Sequence, residues 1–309
     1  MKLSIVTTLY ASAKTVATFH KRATQAAQAF SGDDYEIIMV NDASPDETLA
    51  LATDLVANDP HLTIVDLSRN FGQHRAMMVG LRQSQGEFVF ALDDDLEEDP
   101  EWLNRFWQCH EETKADLVYG VQASRKGGWF ERVSGSLFYR IFNWLSPTKI
   151  APNMIMAKLM TRRFVDALIQ FEERNLFMAG ILTLTGFSQV PLVCVKKSKG
   201  STSYTFARKI EQSVNSLTSF SSRPLYLIFY FGLLLSMLAF VFLVYIVGKK
   251  LVIGTIVDGW TSIMALMTLG FGMIIAVLGV IGIYLSKIFE EVKHRPYVTI
   301  RAILRQNKG

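Results

Sequence analysis

The chain has 309 residues, half of them hydrophobic, a mean hydropathy of +0.23 and a net charge of +4. That length exceeds one small domain, and the hydropathy argues against a wholly soluble protein. The charge is modest and uneven, and its basic clusters read more simply as anionic-lipid contacts than as a nucleic-acid surface. The two cysteines, Cys109 and Cys194, lack metal or redox spacing and read as reduced thiols of a cytosolic domain.

Up to about residue 120 the sequence alternates strand and helix patterns, which predicts a layered, mostly parallel sheet. Residues 3–8 are an apolar, β-branched strand, 13–30 a helix, and 36–40 a strand running into Asn41-Asp42-Ala43-Ser44. Ser44, Pro45 and Glu47 form a helix-start signal with Ser44 as the N-cap. Residues 62–67 give a third strand, followed by Ser68-Arg69-Asn70-Phe71-Gly72 and a helix to about residue 84. The fourth strand, 88–92, breaks into Asp93-Asp94-Asp95-Leu96-Glu97-Glu98-Asp99-Pro100, with a helix over 101–112 and a further strand over 117–119.

Beyond Gly120 the pattern changes. Residues 129–145 are rich in aromatics and interrupted by Arg132 and Arg140, which fits a helix lying in the lipid interface, with core packing as the alternative. Residues 157–168 and 176–184 look helical, and 190–195 look like a strand. A second juxtamembrane helix is expected over 201–223.

Residues 224–247 and 259–286 contain no charged residue, and each could cross roughly 30 Å of hydrocarbon as a helix. Tyr226, Trp260 and Tyr284 stand near their ends, where aromatic belts form. Lysines and arginines cluster before the first span and after the second, so both termini are expected in the cytoplasm. The organisation read from the chain is a cytoplasmic domain over 1–200, a two-helix hairpin over 224–289 and a basic tail over 290–309, strand-like from 297 to 304.

The chemistry concentrates at strand ends. Three adjacent aspartates repel one another and gain nothing from strand packing, so Asp93-Asp94-Asp95 reads either as a solvated capping turn or as a site for a hard divalent cation. Asp42 ends a second strand of the same sheet, where a carboxylate can accept hydrogen bonds from a ribose or base. Alternation along a strand turns Asp94 away from Asp93 and Asp95. Neither a G-x-G-x-x-G nor a P-loop pattern occurs.

Residues 4–12, Val40-Asn41-Asp42-Ala43-Ser44-Pro45-Asp46, Leu67-Ser68-Arg69-Asn70-Phe71-Gly72 and 92–100 resemble the signatures of family 2 glycosyltransferases. Tyr119-Gly120-Val121, Ser124-Arg125-Lys126-Gly127, Phe138-Tyr139-Arg140, Thr218-Ser219-Phe220-Ser221 and the paired spans narrow the resemblance to the bacterial polyprenyl-phosphate (dolichol-phosphate-type) branch. The resemblance implies a GT-A (Rossmann-like) α/β nucleotide-sugar-binding domain anchored in the bacterial inner membrane. It implies inverting, metal-dependent transfer of a sugar from a nucleotide sugar to polyprenyl (undecaprenyl) phosphate at the cytoplasmic face.

Carried over, Thr8, Tyr10, Asp42, Arg69 and Asp93 belong to the nucleotide-sugar site. Asp93, Asp95 and Glu97 belong to a Mg²⁺ or Mn²⁺ site, with Asp95 the direct ligand, and the site faces the bilayer. Arg125 and Arg132 belong to the acceptor-phosphate region, with lipid-headgroup contact as the plainer alternative. The resemblance also implies a homo-oligomer, a tetramer being one option.

Three departures stand out. Thr8-Leu9-Tyr10-Ala11-Ser12 replaces P-x-Y-N-E and lacks its acid. Met156 stands where N-A-G-D-F-R-L has Asp, and Ser203 where G-E-S-K-Y has Lys, with Lys197 or Lys199 as possible substitutes. These departures keep two alternatives open, a hydroxyl acceptor on a lipid-linked saccharide and a non-catalytic membrane scaffold.

Overall fold

The structure of the chain is a computed structural model that describes residues 1–122, 140, 144, 151, 153–173, 178–196, 223–253, 259–293 and 295–306. It forms two units: Met1–Arg140, Thr148–Thr205 and Arg295–Gly309 make one, Ile141–Pro147 and Phe206–His294 the other.

The first unit is built on four apolar strands, β1 (Leu3–Leu9), β2 (Tyr35–Asn41), β3 (Leu62–Leu67) and β4 (Phe88–Ala91). Their side chains are buried almost throughout, the mark of strands covered on both faces. They pair in parallel in the order β3-β2-β1-β4, and the connections carry α1 (Val16–Ser31), α2 (Thr48–Asn58) and α3 (Gln73–Gln83). A Cβ on Gly80 of α3 would lie 2.4 Å from Val6 Cγ1, so glycine lets this helix seat closely on β1. α4 (Leu103–Thr113) follows a short 3-10 turn, Pro100–Trp102.

Beyond β4 the sheet becomes mixed. β6 (Met154–Thr161) runs antiparallel to both β4 and β5 (Leu117–Gln122), and β7 (Gln189–Cys194) runs parallel to β5. β8 (Ile300–Arg305) closes the opposite edge, antiparallel to β3, giving the order β7-β5-β6-β4-β1-β2-β3-β8. This mixed sheet flanked by helices is the GT-A-like arrangement expected. The basic C-terminal stretch thus enters the same sheet as the N-terminal strand.

Two local expectations are corrected. Residues 157–168 are not one helix: Met154–Thr161 is a strand, and only α5 (Arg162–Leu168) is helical. Met, Leu, Ala and Lys favour helix, but pairing on both sides with β4 and β5 overrides propensity. Ser44 is not the cap of α2, which starts at Thr48. The carboxylate of Asp46 instead accepts from the Thr48 N–H at 3.2 Å, while Ser44 Oγ faces the Leu9 carbonyl at 3.4 Å. α6 (Met178–Leu184) matches the helix read near 176–184.

The second unit contains α7 (Arg223–Ile253, 31 residues) and α8 (Trp260–Val292, 33 residues). Arg223–Phe242 and Gly270–Val292 reach mean hydropathies of 2.4 and 2.1, and neither window is buried inside the chain. At 1.5 Å per residue, about 20 residues suffice for a bilayer core. The helices expected over 129–145 (Arg140 and Trp144 apart) and 201–222, with Arg125, Arg132, Lys197, Lys199 and Ser203, lie outside the described residues.

Candidate active site

Because β1 to β4 are parallel, their carboxyl ends share one rim, where open α/β sheets bind ligands. Asp42 leaves β2 and Asp93 follows β4, on either side of β1. With strands about 4.8 Å apart, the two strand ends lie about 10 Å apart.

Two left-handed alanines shape the first half of this rim. Ala11 (φ 55) and Ala43 (φ 52) adopt a conformation uncommon for a residue with a Cβ. Hydrogen bonds hold the turns. Ala11 N–H donates to Ser44 Oγ at 3.3 Å, Ser12 N–H to Thr48 Oγ1 at 2.8 Å, and Ala13 N–H to Asp46 Oδ2 at 3.2 Å. Thr8 is buried on β1, whereas Tyr10 at its end is exposed.

Asp42 is buried, and each of its oxygens accepts one backbone N–H, from Phe71 at 2.7 Å and Gly72 at 2.8 Å. The carboxylate therefore fixes the loop that carries Arg69, and among the described residues these two N–H groups leave it two further acceptor positions. Gly72 takes φ 93, which suits glycine at this tight entry to α3. Arg69 is exposed and lies over the Phe71 ring at 4.4 Å, so its guanidinium is held at the rim.

The acidic run separates by partner. Asp94 is 9 % exposed and accepts from Thr15 Oγ1 at 3.1 Å, so it fastens the loop to the start of α1. Burial raises its pKa to about 6 against the opposing hydrogen bonds of Ser12 and Thr15. Asp93 faces elsewhere: Oδ1 accepts from Gln73 Nε2, and Oδ2 is 3.9 Å from Lys196 Nζ. Burial and the charges of Glu98 and Asp95 push Asp93 upward, and Lys196 acts against them. Asp95 Oδ1 accepts from the Glu97 N–H at 2.9 Å.

Glu98 has no exposed surface and knots the site together. It accepts from Lys196 Nζ at 2.9 Å, from the Met156 N–H at 3.0 Å and from the Asp93 N–H at 3.4 Å. Lys196 also lies 3.8 Å from Glu97. Burial disfavours its ammonium, but Glu98, Asp93 and Asp95 outweigh that and raise its pKa. Lys158, buried on β6, donates to the carbonyls of Ile155 at 2.7 Å and Met156 at 3.0 Å. Its burial lowers the pKa to about 8 although Glu98 and Asp93 oppose the shift.

The structure thus brings Asp93 and Glu97 together around Lys196 and keeps Asp42 and Arg69 together on the neighbouring loop. Gln73, Glu98, Lys158 and Lys196 join the site although no sequence motif assigns them a role there. Lys196 had a readable signal: it directly follows a strand, as Asp93 does. β7 is parallel to β5, and β5 and β4 are both antiparallel to β6, so the ends of β7 and β4 share the rim.

Among the described residues, no three His, Cys, Asp or Glu side chains are arranged to hold a metal ion. The donor set still fits Mg²⁺ or Mn²⁺. Such ions take hard carboxylate oxygens from one or two side chains and complete their shell with substrate phosphate and water. Asp93 and Asp95 are the groups that could hold such an ion through their carboxylate oxygens.

A family profile described as glycosyl transferase family 2 matches residues 4–173. A Mycobacterium tuberculosis (strain CDC 1551 / Oshkosh) relative assigned to the glycosyltransferases is 41 % identical over 303 residues, covering 98 % of this chain and 88 % of its own. The SfII prophage-derived bactoprenol glucosyl transferase of Shigella flexneri is 29 % identical over 313 residues, covering 99 % and 100 %. Among solved structures, residues 1–349 of S. aureus TarS in complex with UDP-GlcNAc are 20 % identical at a TM-score of 0.44, covering 71 % and 66 %.

Proposed function

The chain belongs to the family 2 glycosyltransferases, and we propose that it moves a sugar from a nucleoside-diphosphate donor to polyprenyl phosphate at the cytoplasmic face of a bacterial inner membrane. One observation carries this reading: Asp42 and the Asp93–Asp95 loop stand at the ends of parallel strands flanking β1, one beside the Arg69 loop and one as a carboxylate cluster. That spacing suits a nucleoside at the Asp42 side and its diphosphate at the Asp93 side. Full-length similarity to a bactoprenol glucosyl transferase supports the acceptor class, and the two apolar helices support a membrane anchor.

The transfer balances simply. A phosphate oxygen of the lipid forms a bond to the anomeric carbon, and the bond from that carbon to the diphosphate breaks. The electron pair leaves with the nucleoside diphosphate, and the sugar inverts. Asp93 and Asp95 would hold the divalent ion, Gln73 orients Asp93, and Thr8, Tyr10, Asp42 and Arg69 would seat the nucleotide. Arg125 and Arg132 would meet the acceptor phosphate.

The acceptor chemistry favours a phosphate over a hydroxyl. A phosphate monoester, with a second pKa of about 6, is ionised near neutrality and attacks without a strong base. A sugar hydroxyl needs a base. Met156 stands where the N-A-G-D-F-R-L pattern of the resemblance has Asp, and its own backbone N–H is engaged by Glu98.

The test is to incubate full-length protein in detergent with a panel of nucleotide sugars and undecaprenyl phosphate, and to follow lipid-linked product by mass spectrometry. Product that requires a divalent ion and is lost in Asp95→Asn is expected. Turnover undiminished in EDTA would remove the metal from the reading. Product formed only on an already glycosylated lipid would move the acceptor to a hydroxyl. No product and no nucleotide binding would leave a scaffold.

A further inference from the structure

Lys196 reaches the carboxylate cluster from the end of β7, about a hundred residues along the chain from Asp93. Its ammonium lies 2.9 Å from Glu98, 3.8 Å from Glu97 and 3.9 Å from Asp93. The charges it touches include two of the three carboxylates expected around a divalent ion, while Glu98, wholly buried, anchors the amine from behind. An ion bound to Asp93 Oδ2 at about 2.1 Å could lie no farther than about 6 Å from Nζ as it now stands. Two cations cannot share those oxygens at that separation without strong repulsion.

We propose that Lys196 is the resident cation of this cluster and the competitor of its divalent ion. The inference rests on Asp93 and Asp95 being the metal-holding pair. Without metal, the amine neutralises Asp93, Glu97 and Glu98 and keeps the loop after β4 folded. Metal entry draws Asp93 and Glu97 away from the amine, which keeps its 2.9 Å contact with Glu98. Metal binding to the free protein is therefore weak, and it strengthens when a diphosphate contributes oxygens of its own. Lys196 is a positioning residue in this scheme and does not touch the sugar.

Binding of Mn²⁺ alone to the full-length protein in detergent, followed by calorimetry and by electron paramagnetic resonance of free Mn²⁺, tests this. Lys196→Met should bind Mn²⁺ at least tenfold more tightly than the unaltered protein, and Lys196→Arg, which keeps the charge, should stay close to it. The melting temperature of Lys196→Met should fall in EDTA and recover with Mn²⁺ by more than that of the unaltered protein. This melting comparison serves if the substitution weakens folding. Equal or weaker Mn²⁺ binding by Lys196→Met, with binding still lost in Asp95→Asn, would overturn the competition while leaving the metal site in place. Absence of Mn²⁺ binding in every form, with or without added nucleoside diphosphate, would overturn both.

Discussion

Arg301 donates from Nη1 to Asp66 Oδ2 at 3.1 Å, so a strand that follows both apolar helices in the chain is tied to the end of β3. Asp66 is buried and also accepts from Asn41 Nδ2 at 2.8 Å. Asn41 Oδ1 in turn accepts from the Ser44 N–H at 3.2 Å, in the turn that begins at Asp42. Arg301 further donates to the Ser68 carbonyl at 2.9 Å, beside the Arg69 loop. The C-terminal strand therefore buttresses both loops that leave the carboxyl ends of β2 and β3.

Removing the centre of this chain should cost more than removing its outer end. Asp66→Ala leaves the buried Asn41 amide without its acceptor, a loss of about 2 kcal/mol. That corresponds to a fall in Tm of about 4–8 °C for a domain of this size. The Arg301 side chain is 55 % exposed, so Arg301→Met should cost under about 1 kcal/mol. Thermal melts of the two variants in detergent check the order. Equal losses would show that the Asn41 contact contributes nothing.

Glu98 should be a stability residue above all. Glu98→Ala strips acceptors from the Met156 and Asp93 N–H groups and from Lys196, all of them at least partly buried. Breaking a buried pair costs about 3–5 kcal/mol. The lower end applies here because Lys196 keeps Asp93 and Glu97 within 3.9 Å. Urea unfolding of the variant, read against Glu98→Gln, measures it. The glutamine can still accept from Met156 and should lose less.

Cys194 should resist thiol chemistry. It is 1 % exposed, and burial raises its pKa to about 11, with Arg105 opposing the shift and Glu98 adding to it. Cys109 is also shifted upward by burial and by Glu112. At pH 7.5 neither offers much thiolate, the form that reacts. Iodoacetamide followed by mass spectrometry should leave Cys194 unlabelled in the folded protein and label it in urea. Rapid labelling of Cys194 without denaturant would contradict its burial.

What the sequence revealed and concealed divides along physical lines. β1 to β4 announce themselves as apolar, β-branched runs, and Asp42 and Asp93 as charges at their ends. β6 hides because Met154-Ile155-Met156-Ala157-Lys158-Leu159-Met160 has helix-favouring composition and becomes a strand only through partners far away in the chain. Asp94 and Asp93 do take different partners, Thr15 and Gln73, but they lie beyond Ala91, where β4 ends, so the bend of the loop and not strand alternation separates them. The Lys196–Glu98 and Arg301–Asp66 pairs are not visible in advance, since they join segments about 100 and 235 residues apart, where local pattern carries no information.

Lys158 should leave a signature in the pH dependence of stability. Its amine is buried on β6, and burial lowers its pKa from 10.5 to about 8; the charged groups acting on it are Glu98 and Asp93, which favour the ammonium, and Lys196, which opposes it. Between pH about 8 and 10.5 the unfolded chain holds this proton and the folded chain has lost it, so stability rises with pH across that window. The cost of burying the charge is present in full below pH 8 and gone above 10.5. Lys158→Met removes the titration, although it also strips a donor from the carbonyls of Ile155 and Met156. The decisive quantity is therefore the difference in slope: melts from pH 7 to 10.5 should show the unaltered protein gaining on the variant as pH rises. Parallel curves would mean that the amine reaches water or the carboxylates easily enough to keep its ordinary pKa.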